Sequence, residues 1–348
     1  MHLMSQALEI IRQKGQEITD EEEEAATIAI LLHDIGHGPF SHALETCLID
    51  GISHEEISIL MMEELNQTFD GRLSMAISIF KNEYHKKFLH QLVSSQLDMD
   101  RMDYLNRDSF YTGVSEGVIG FDRILKMLAV HKDELVIEQK GIYSIEKFLV
   151  ARRLMYWQVY LHKTVLAAEE MLVKILRRAK DLASQGENLF GSPSLKFFLD
   201  NQITGESFKK DGDCLKNFST LDDHDIYSAM KVWSSHPDPV LSFLCKSVSH
   251  RNLFKIEIAN EPFDPAYIKR VEQAVQKKIG VSQKQTSYLV FSNSVQNNAY
   301  NIETERISIL MKNGKTMDIA EASDNLNIRM LSKPVEKYYL CYPKVILK

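Results

Sequence analysis

The sequence predicts a mainly α protein in which a large helical body is followed by a smaller α+β subdomain. Up to about residue 250, apolar residues recur three and four positions apart, which is the period of helices that bury one face. Beyond that point the pattern changes to short strand-like runs around one helix-like segment. We therefore predict a helical domain at residues 1–250 and an α+β subdomain at residues 251–348.

The helical body begins with HLMSQALEIIRQKG, a periodic segment that predicts a first helix. In TDEEEEAATIAILLHD, Thr19 and Glu22 have the spacing of a capping box, and the acidic run lies in the first turn, where the helix dipole favours negative charge. Ser53 and Glu56 repeat the capping-box spacing in SHEEISILMMEEL. Residues 143–182 contain neither Gly nor Pro and predict one long helix or two helices with a kink.

The C-terminal subdomain is predicted to contain several strands and one helix. The strand-like runs are LFKIEIA, TSYLVFS, RISILMKNGKTMDIAEA and KYYLCYP, and PAYIKRVEQAVQKKIG is helix-like. Asn313-Gly314 separates two of these runs and predicts a hairpin, because both residues tolerate the positive φ values of a tight turn.

Composition restricts the class of protein and its partners. A net charge of -7 argues against broad nucleic-acid binding, yet it permits a local basic pocket for a small anionic ligand. The four cysteines form no CxxC pair, so we predict neither a thiolate zinc site nor a disulfide framework, and a reducing cytoplasm fits best. No apolar run approaches the roughly 20 residues of a membrane helix, and the first residues do not form a signal peptide.

The stretch LLHDIGHGPFSHALE concentrates groups that can bind an ion. His33 and Asp34 follow the apolar run ATIAILL, so they are expected at the end of a buried helix, which Gly38-Pro39 is predicted to terminate. Imidazole and carboxylate together suit Mn, Fe, Zn or Mg, depending on the other ligands. The alternative for such a pair is a capping or hydrogen-bonded histidine.

A second cluster, LDMDRMDYLNRD, places acidic residues on one face of a predicted helix. Asp100, Asp103, Tyr104, Arg107 and Asp108 have the required spacing. Stacked carboxylates repel unless a metal, arginines or a cationic partner compensates them. The alternative is a solvated acidic face.

A third cluster lies in the long helical segment. Arg152, Tyr156, Tyr160 and Lys163 are spaced by four, four and three, which predicts one narrow stripe of two cations and two phenols. Such a stripe can bind phosphates through the cations and pack a sugar or base against the rings. The alternative is an aromatic core with Arg and Lys at its rim.

Taken in order, HDIGHGPFSHALE, SHEE, LDMDRMDYLNRD and a later YLHK resemble the HD-domain phosphohydrolase superfamily. The most similar branch is that of the deoxynucleoside triphosphate triphosphohydrolases, which includes the vertebrate sterile-alpha-motif and HD-domain protein. The resemblance covers about residues 1 to 170. It implies an all-helical HD-domain core and metal-dependent hydrolysis of a deoxynucleoside triphosphate to a deoxynucleoside and triphosphate.

The resemblance also implies a role for individual residues. The metal ligands would be His33, Asp34 and Asp100. The catalytic or phosphate-contacting residues would be His37, His54 and Glu45, whereas His42 would be structural. The substrate pocket would include Arg101, Tyr104, Asp108, Arg152, Tyr156, Tyr160 and Lys163. The identity of the divalent metal stays open among Mg, Mn, Fe, Zn and Ni. A homo-oligomer, either a dimer or a tetramer, is expected, and a nucleotide activator is compatible with the family.

One feature of the family is absent from this sequence. Relatives carry a fourth metal ligand, the histidine of an HSLG-like motif on the first helix, and by alignment it would fall before Met1. His2 is a poor replacement, because it would lie about six residues further along the helix and roughly 120° from the required face.

Three explanations of this difference stay open. The chain lacks a natural N-terminal segment, the ion is held by three protein ligands and water, or activity has been lost. The competing functions are accordingly an HD-type nucleoside monophosphatase and a nonenzymatic nucleotide-sensing protein with an incomplete metal site.

Overall fold

The computed structural model describes residues 1–41, 47, 49–297, 299–302, 306–331 and 333–347. The chain divides into two compact units, each built from three segments. Unit 1 contains residues 1–34, 61–160 and 296–335, and unit 2 contains residues 35–60, 161–295 and 336–348. Both units contain residues from either side of position 250, and a domain boundary at that position stays a prediction.

Helices dominate the described chain, which confirms the predicted mainly α fold class. In chain order they are α1 (His2–Gln13), α2 (Asp20–Leu32), α3 (His54–Thr68), α4 (Ser74–Phe80), α5 (Lys87–Val93), α6 (Met99–Thr112), α7 (Phe121–Met127), α8 (Ile142–Met155), α9 (Lys163–Ser184), α10 (Pro193–Asp200), α11 (Gly205–Lys210), α12 (Gly212–Ser219), α13 (Asp223–Trp233), α14 (Pro239–Ser249), α15 (Pro265–Val275), α16 (Gln283–Thr286), α17 (Ile319–Ala322) and α18 (Leu326–Leu331).

The strands form small sheets. They are β1 (Ile49–Asp50), β2 (Leu128–His131), β3 (Glu134–Glu138), β4 (Ile203–Thr204), β5 (Lys255–Ala259), β6 (Phe291–Asn297), β7 (Ser308–Leu310), β8 (Thr316–Asp318) and β9 (Val335–Tyr342). Unit 1 holds a sheet of order β2-β3-β7-β8, in which only β3 and β7 are parallel. A sheet of order β5-β9-β6 pairs β5 antiparallel with β9, and β1 pairs with β4 in parallel.

Unit 1 is organised around one hydrophobic core. Helix α1 buries Leu3, Ala7 and Ile11, which are spaced by four residues and so form one apolar stripe. Helix α2 packs against α4. Helix α8 buries Phe148 and Met155 in the same core, and α17 and α18 both contact α8. The helix ends that carry the candidate metal ligands are therefore anchored by buried apolar contacts.

Unit 2 is organised around α9. This helix packs against α14 and β5, and α14 also contacts α13. The indole of Trp233, at the end of α13, is buried, and its Nε1 donates a hydrogen bond to the Phe190 carbonyl at 2.9 Å. A buried indole N–H normally needs such a partner, so this bond removes the cost of burying it.

Several local predictions are confirmed. The Thr19–Glu22 and Ser53–Glu56 capping boxes are both present, with reciprocal side-chain and backbone hydrogen bonds. The Asn313-Gly314 hairpin joins β7 to β8, and Gly314 has the positive φ of 78° that the turn requires.

The segment 143–182 forms two helices and not one long helix, which is the second of the two predicted alternatives. Helix α8 ends at Met155, a π-helical turn covers Tyr156–Tyr160, and α9 starts at Lys163. His162 caps α9 through its side chain, which accepts a hydrogen bond from the Thr164 N–H. A cap closes the N-terminus of a new helix, so this position interrupts the helical ladder.

Three local features differ from prediction. The helical body contains the β2-β3 hairpin, whose loop residues Lys132 and Asp133 both have positive φ without the usual Asn-Gly signal. TSYLVFS was expected to be a strand, but a capping box at Ser282 starts the short helix α16 and β6 begins only at Phe291. Helix α2 ends at Leu32 and not at Gly38-Pro39, and the His33 side chain bonds to the Ile30 carbonyl in the last turn.

Among the described residues, no helix combines the length and the apolar character that crossing a membrane would require.

A buried carboxylate ties the start of α2 to the rest of unit 1. Glu22 is only 3% exposed and accepts hydrogen bonds from Lys86 Nζ at 2.7 Å, the Tyr84 hydroxyl at 2.7 Å and the Thr19 N–H at 2.9 Å. Burial raises the pKa of Glu22, but these hydrogen bonds outweigh burial and hold the pKa below its usual range. The ionised form is therefore the one that stabilises the fold.

We predict that Glu22→Gln lowers the free energy of unfolding by about 1–3 kcal/mol at pH 7, since it leaves buried donors with a weaker acceptor. Because the folded-state pKa is depressed, the stabilisation is present above the unfolded-state pKa and is lost as pH falls through the folded-state pKa. The difference between the two proteins should therefore shrink in acid. Urea unfolding at a series of pH values measures it.

Glu21→Gln is the matched control, because Glu21 lies in the same first turn and is exposed. It changes the interaction with the helix dipole by the same charge but leaves the buried network intact. Equal destabilisation by both substitutions would show that the dipole, and not the network, accounts for the effect.

Candidate active site

Two segments of unit 1 bring the predicted metal ligands together. His33 and Asp34 follow the last turn of α2, and Asp100 lies in the first turn of α6. The Nε2 atom of His33 is 3.3 Å from Asp34 Oδ2 and 3.9 Å from Asp100 Oδ2. One nitrogen or oxygen from each of the three side chains lies within 4.8 Å of the others, which is close enough for a single ion to contact all three.

The orientation of His33 suits metal binding. Its Nδ1 lies 2.8 Å from the Ile30 carbonyl, which can only accept, so Nδ1 must carry the hydrogen. In the neutral ring this leaves a lone pair on Nε2, which faces the two carboxylates. Histidines that bind metals are usually held in this way through their second nitrogen. The donor set of one imidazole and two carboxylates therefore fits a divalent ion.

The charges around His33 have a further effect on its titration. Burial lowers the pKa of His33, but the Asp100 and Asp34 carboxylates outweigh burial and place the pKa above its ordinary value. A proton and a cation are thus stabilised by the same two carboxylates. They compete for the same Nε2 lone pair.

A capped helix start positions Asp100. The Asp98 carboxylate accepts hydrogen bonds from the Arg101 N–H at 2.7 Å, the Ser95 N–H at 3.1 Å and Arg101 Nε at 2.9 Å. Burial raises the pKa of Asp98 to about 6. Arg101, predicted to contact substrate, directs its Nε to Asp98 and to the Ser95 carbonyl, so its observed contacts fix the helix start. Contact with substrate stays a prediction.

The predicted acidic face of α6 is divided among different contacts. Asp103 pairs with Arg107 one turn later, whereas Asp108 accepts a hydrogen bond from the Tyr160 hydroxyl at 2.7 Å. Burial and the bond to Asp108 both raise the pKa of Tyr160, which keeps the phenol protonated. Asp100 is thus the member of this face that meets His33.

Arg152 is a buried cation without a carboxylate partner among the described residues. Its side chain is 5% exposed, and Nη1 donates to Gln96 Oε1 at 2.7 Å. Its Nε is buried and has no hydrogen-bond partner in the described part of the chain. The guanidinium carbon lies 5.9 Å from the centroid of the Tyr156 ring.

The Tyr156 ring beside this guanidinium belongs to a group of three tyrosines. The Tyr156 and Tyr160 rings meet edge to face at 5.4 Å, and Tyr104 and Tyr160 do so at 5.9 Å. Burial raises the pKa of Tyr104, as does the nearby Tyr156, while Arg152 and Arg101 oppose the rise. Arg152 and the three tyrosines therefore form one cluster in unit 1.

Lys163 was predicted to continue the stripe formed by Arg152, Tyr156 and Tyr160, but the helix is interrupted before it. The π-helical turn and the non-helical residues 161–162 end the helix after Tyr160, and Lys163 is the exposed first residue of α9. The spacing of three residues from Tyr160 therefore does not define a common helical face. A substrate contact by Lys163 stays a prediction.

The two predicted catalytic histidines stack against each other in unit 2. The His37 and His54 ring centroids are 3.9 Å apart, and their planes differ by 17°. Gly36 holds this arrangement, because its N–H donates to Ser58 Oγ at 2.9 Å and its Cα approaches the start of α3 closely. A Cβ at position 36 would lie 2.1 Å from the His54 carbonyl oxygen. Glu45 and His42 lie outside the described residues.

Sequence reasoning missed two residues of the site. Asp98 has the spacing of an N-cap three residues before the Arg101 N–H, so a search for caps could have found it. Gln96 carries no such signal. Its amide oxygen becomes relevant only because the fold brings it to Arg152, 56 residues later in the chain.

Comparison with known proteins identifies the family. Residues 4–108 match the HD domain family, and residues 119–189 match the HD associated region. The chain belongs to the HD-domain family. The crystal structure of a phosphohydrolase from Bacteroides thetaiotaomicron shares 57% sequence identity with this HD-domain protein over 98% of its chain and 84% of the other, with a TM-score of 0.93.

Curated relatives are more distant. Uncharacterized protein YwfO of Bacillus subtilis is 32% identical over 96% of this chain and 77% of its own length. A deoxynucleoside triphosphate triphosphohydrolase SAMHD1 homolog from Dictyostelium discoideum is 29% identical over 54% of this chain and 40% of its own length. The chain thus spans less than half of that triphosphohydrolase. HD-type phosphohydrolase is the level of function that these similarities support.

We predict that Gly36→Ala destabilises the protein by about 1–3 kcal/mol and lowers hydrolytic activity, because a backbone oxygen and a backbone nitrogen of α3 must move to admit the methyl group. Thermal unfolding and the hydrolysis rate measure the two effects.

The control for this substitution is Gly212→Ala in α12, where an added Cβ meets no atom within 4 Å. It should be neutral or stabilising by up to about 1 kcal/mol, because alanine favours the helix. If both variants unfold at the wild-type temperature, close packing at Gly36 does not constrain the histidine pair.

Proposed function

We propose that this HD-domain protein is a metal-dependent phosphohydrolase that converts deoxynucleoside triphosphates to deoxynucleoside and inorganic triphosphate. The observation that carries the proposal is the buried guanidinium of Arg152, which has no carboxylate partner among the described residues, in the unit that also contains the His33, Asp34 and Asp100 donor set. A buried cation without a counter-ion is costly, and an anionic ligand supplies the missing charge. The triphosphohydrolase name of the Dictyostelium relative supports the choice of substrate.

His33, Asp34 and Asp100 would hold the divalent ion. The ion, when bound, supplies polarisation of a phosphoryl oxygen and a more acidic water. Arg152 would bind the outer phosphates, and Tyr104, Tyr156 and Tyr160 would pack against the rest of the nucleotide. Asp108 keeps the Tyr160 hydroxyl in place through their hydrogen bond.

The two histidines of unit 2 would contribute proton transfer and contact with the phosphate. Following the resemblance to the family, His54 would protonate the leaving ribose oxygen and His37 would stabilise the reacting phosphate. Their rings stack on each other. Roles for Glu45, Arg101 and Lys163, an oligomeric assembly and a nucleotide activator stay predictions.

Product analysis tests the proposed reaction against the two other functions. Inorganic triphosphate released from a deoxynucleoside triphosphate supports the proposal. Orthophosphate released only from a nucleoside monophosphate would instead identify a monophosphatase, and binding without turnover a nucleotide sensor.

We predict that Asp100→Asn lowers both bound divalent metal and turnover by at least about a hundredfold, because it removes one of the two carboxylate charges beside His33 Nε2. Elemental analysis and product assays measure the two quantities. Asp103→Asn, one turn along the same helix, removes only the partner of Arg107 and should keep both. Wild-type turnover by Asp100→Asn would reject Asp100 as a ligand.

We predict that Arg152→Met raises the KM for a deoxynucleoside triphosphate at least tenfold while changing the free energy of unfolding by no more than about 1 kcal/mol. The guanidinium contributes little net stability, because no carboxylate among the described residues compensates it. Steady-state kinetics and denaturant unfolding provide the two readouts.

Arg178 is the control for Arg152, because its guanidinium is paired with a carboxylate. Its Nη2 atom lies 2.5 Å from Asp238 Oδ2, and both side chains are largely buried. Arg178→Met leaves this carboxylate unpaired, so it should cost about 3–5 kcal/mol without raising the KM. A large stability loss in Arg152→Met with an unchanged KM would assign Arg152 a structural role.

A further inference from the structure

The Gly38–Ser41 turn, which follows His37 in unit 2, has an unusual residue at its third position. The Ser41 N–H donates to the Gly38 carbonyl at 2.9 Å, so these four residues close a β-turn. Pro39 has a negative φ at the second position, and Phe40 has a φ of 54° at the third, which is the pattern of a type II turn. That third position normally carries Gly or Asn, because it requires a positive φ.

Phe40 is the one apolar residue among the described non-glycine residues with a positive φ. The others are Ser41, Asp70, Asn82, Lys132, Asp133 and Arg251. Short polar side chains such as those of Asp and Asn tolerate this conformation better than a bulky aromatic side chain does. The conformation of Phe40 therefore costs free energy, which contacts with the surrounding structure must offset.

Helix α13 makes two contacts that hold Phe40 in this conformation. The Phe40 N–H donates to Asp223 Oδ1, in the first turn of α13, at 3.0 Å. One helical turn later, the Tyr227 ring meets the Phe40 ring edge to face, with the two centroids 5.1 Å apart. A backbone N–H bonded to a carboxylate and an aromatic pair of this geometry both stabilise the observed position of Phe40.

His37 lies between two anchored positions of the backbone. Before it, the Gly36 N–H donates to Ser58 Oγ at 2.9 Å, and after it, the N–H of Phe40 donates to Asp223. The first anchor belongs to α3, which also carries the second histidine of the stacked pair, and the second belongs to α13, 183 residues beyond the turn. Two anchors so close in sequence limit the positions that the imidazole between them can take.

We propose that Asp223 and Tyr227 are positioning residues for His37. They hold Phe40 in its left-handed conformation, and the turn then fixes the His37 ring relative to the ring on which it stacks. The effect on catalysis rests on the proposed function, whereas the effect on the position of the ring does not. Displacing a reacting group by about 1 Å can lower a rate by about a hundredfold, so the loss of either contact should lower kcat.

The first measurement does not require activity. Diethyl pyrocarbonate modifies imidazole rings, and mass spectrometry of peptides gives the rate at each histidine of the full chain. We expect Asp223→Ala to speed modification of His37 at least about threefold, because the released turn lets the stacked ring open more often. His85 of unit 1 is exposed, and as the internal reference it should react at the same rate in every variant.

The second measurement separates kcat from KM, with dGTP as substrate and Mn²⁺ as the metal. Asp223→Ala should lower kcat at least about tenfold and change the KM less than about twofold, because Arg152 and the tyrosines proposed to bind substrate lie in unit 1. Asp223→Asn keeps an oxygen that can accept from the Phe40 N–H, so it should restore kcat to within about threefold of wild type.

Asp213→Ala is the matched control, because it removes an exposed carboxylate from the first turn of α12 in the same unit. It should change neither the modification rate of His37 nor kcat. Tyr227→Leu is the second test variant and replaces Asp223→Ala if that variant is unfolded by circular dichroism. It should act in the same direction on both readouts, whereas Tyr227→Phe keeps the ring contact and should behave as wild type.

An unchanged modification rate at His37 in folded Asp223→Ala would overturn the proposal, as would an equal acceleration in Asp213→Ala. A loss of activity that appears in the KM with kcat unchanged would also overturn it, because it would place Asp223 in substrate binding. If wild-type protein does not hydrolyse dGTP, the proposed function fails. The modification rates then decide by themselves whether α13 positions His37.

Discussion

A single hydrogen bond at the end of α2 determines the geometry of the candidate metal site. His33 Nδ1 donates to the Ile30 carbonyl, one of the last-turn carbonyls that have no partner within the helix. The helix ends at Leu32, and the other ring nitrogen faces Asp34 and Asp100. The alternative first considered for this histidine, a capping role, is thus compatible with metal binding. One ring nitrogen bonds to the helix end and the other is available to an ion.

The two buried arginines show how the same side chain can serve stability or ligand binding. Arg178 bonds to Asp238 through two nitrogens, so its charge is neutralised within unit 2. Arg152 is more deeply buried, and its one side-chain hydrogen bond among the described residues is to the neutral amide of Gln96. A protein selected for stability alone gains little from the second arrangement, because burying an unpaired charge costs free energy. The difference in partners, more than burial itself, therefore distinguishes a candidate anion site from a structural ion pair.

Much of the fold was predictable because its signals are local. Capping boxes at Thr19 and Ser53, and the hairpin at Asn313-Gly314, depend on residues a few positions apart. The resemblance of two motifs to the HD family implied His33, Asp34 and Asp100 as a donor set, and these three side chains lie close together. The predicted stripe does not extend to Lys163, because a π-helical turn and a helix cap interrupt the helical periodicity. Gln96 could not be predicted, since its role depends on a contact made only in the folded chain.

The π-helical turn at Tyr156–Tyr160 lies between the two contacts that organise the aromatic cluster. On one side Arg152 bonds to Gln96, and on the other Tyr160 bonds to Asp108. A π-helical turn accommodates one more residue than an α-helical turn, so it changes the direction of every side chain that follows. Such turns are rare and occur frequently at functional sites. The bond from Tyr160 to Asp108 holds the end of the turn, because it satisfies a half-buried hydroxyl with a carboxylate. The π-helical turn that interrupts the sequence periodicity therefore also orients the Tyr156 and Tyr160 rings near Arg152, which has no carboxylate partner in the described part of the chain.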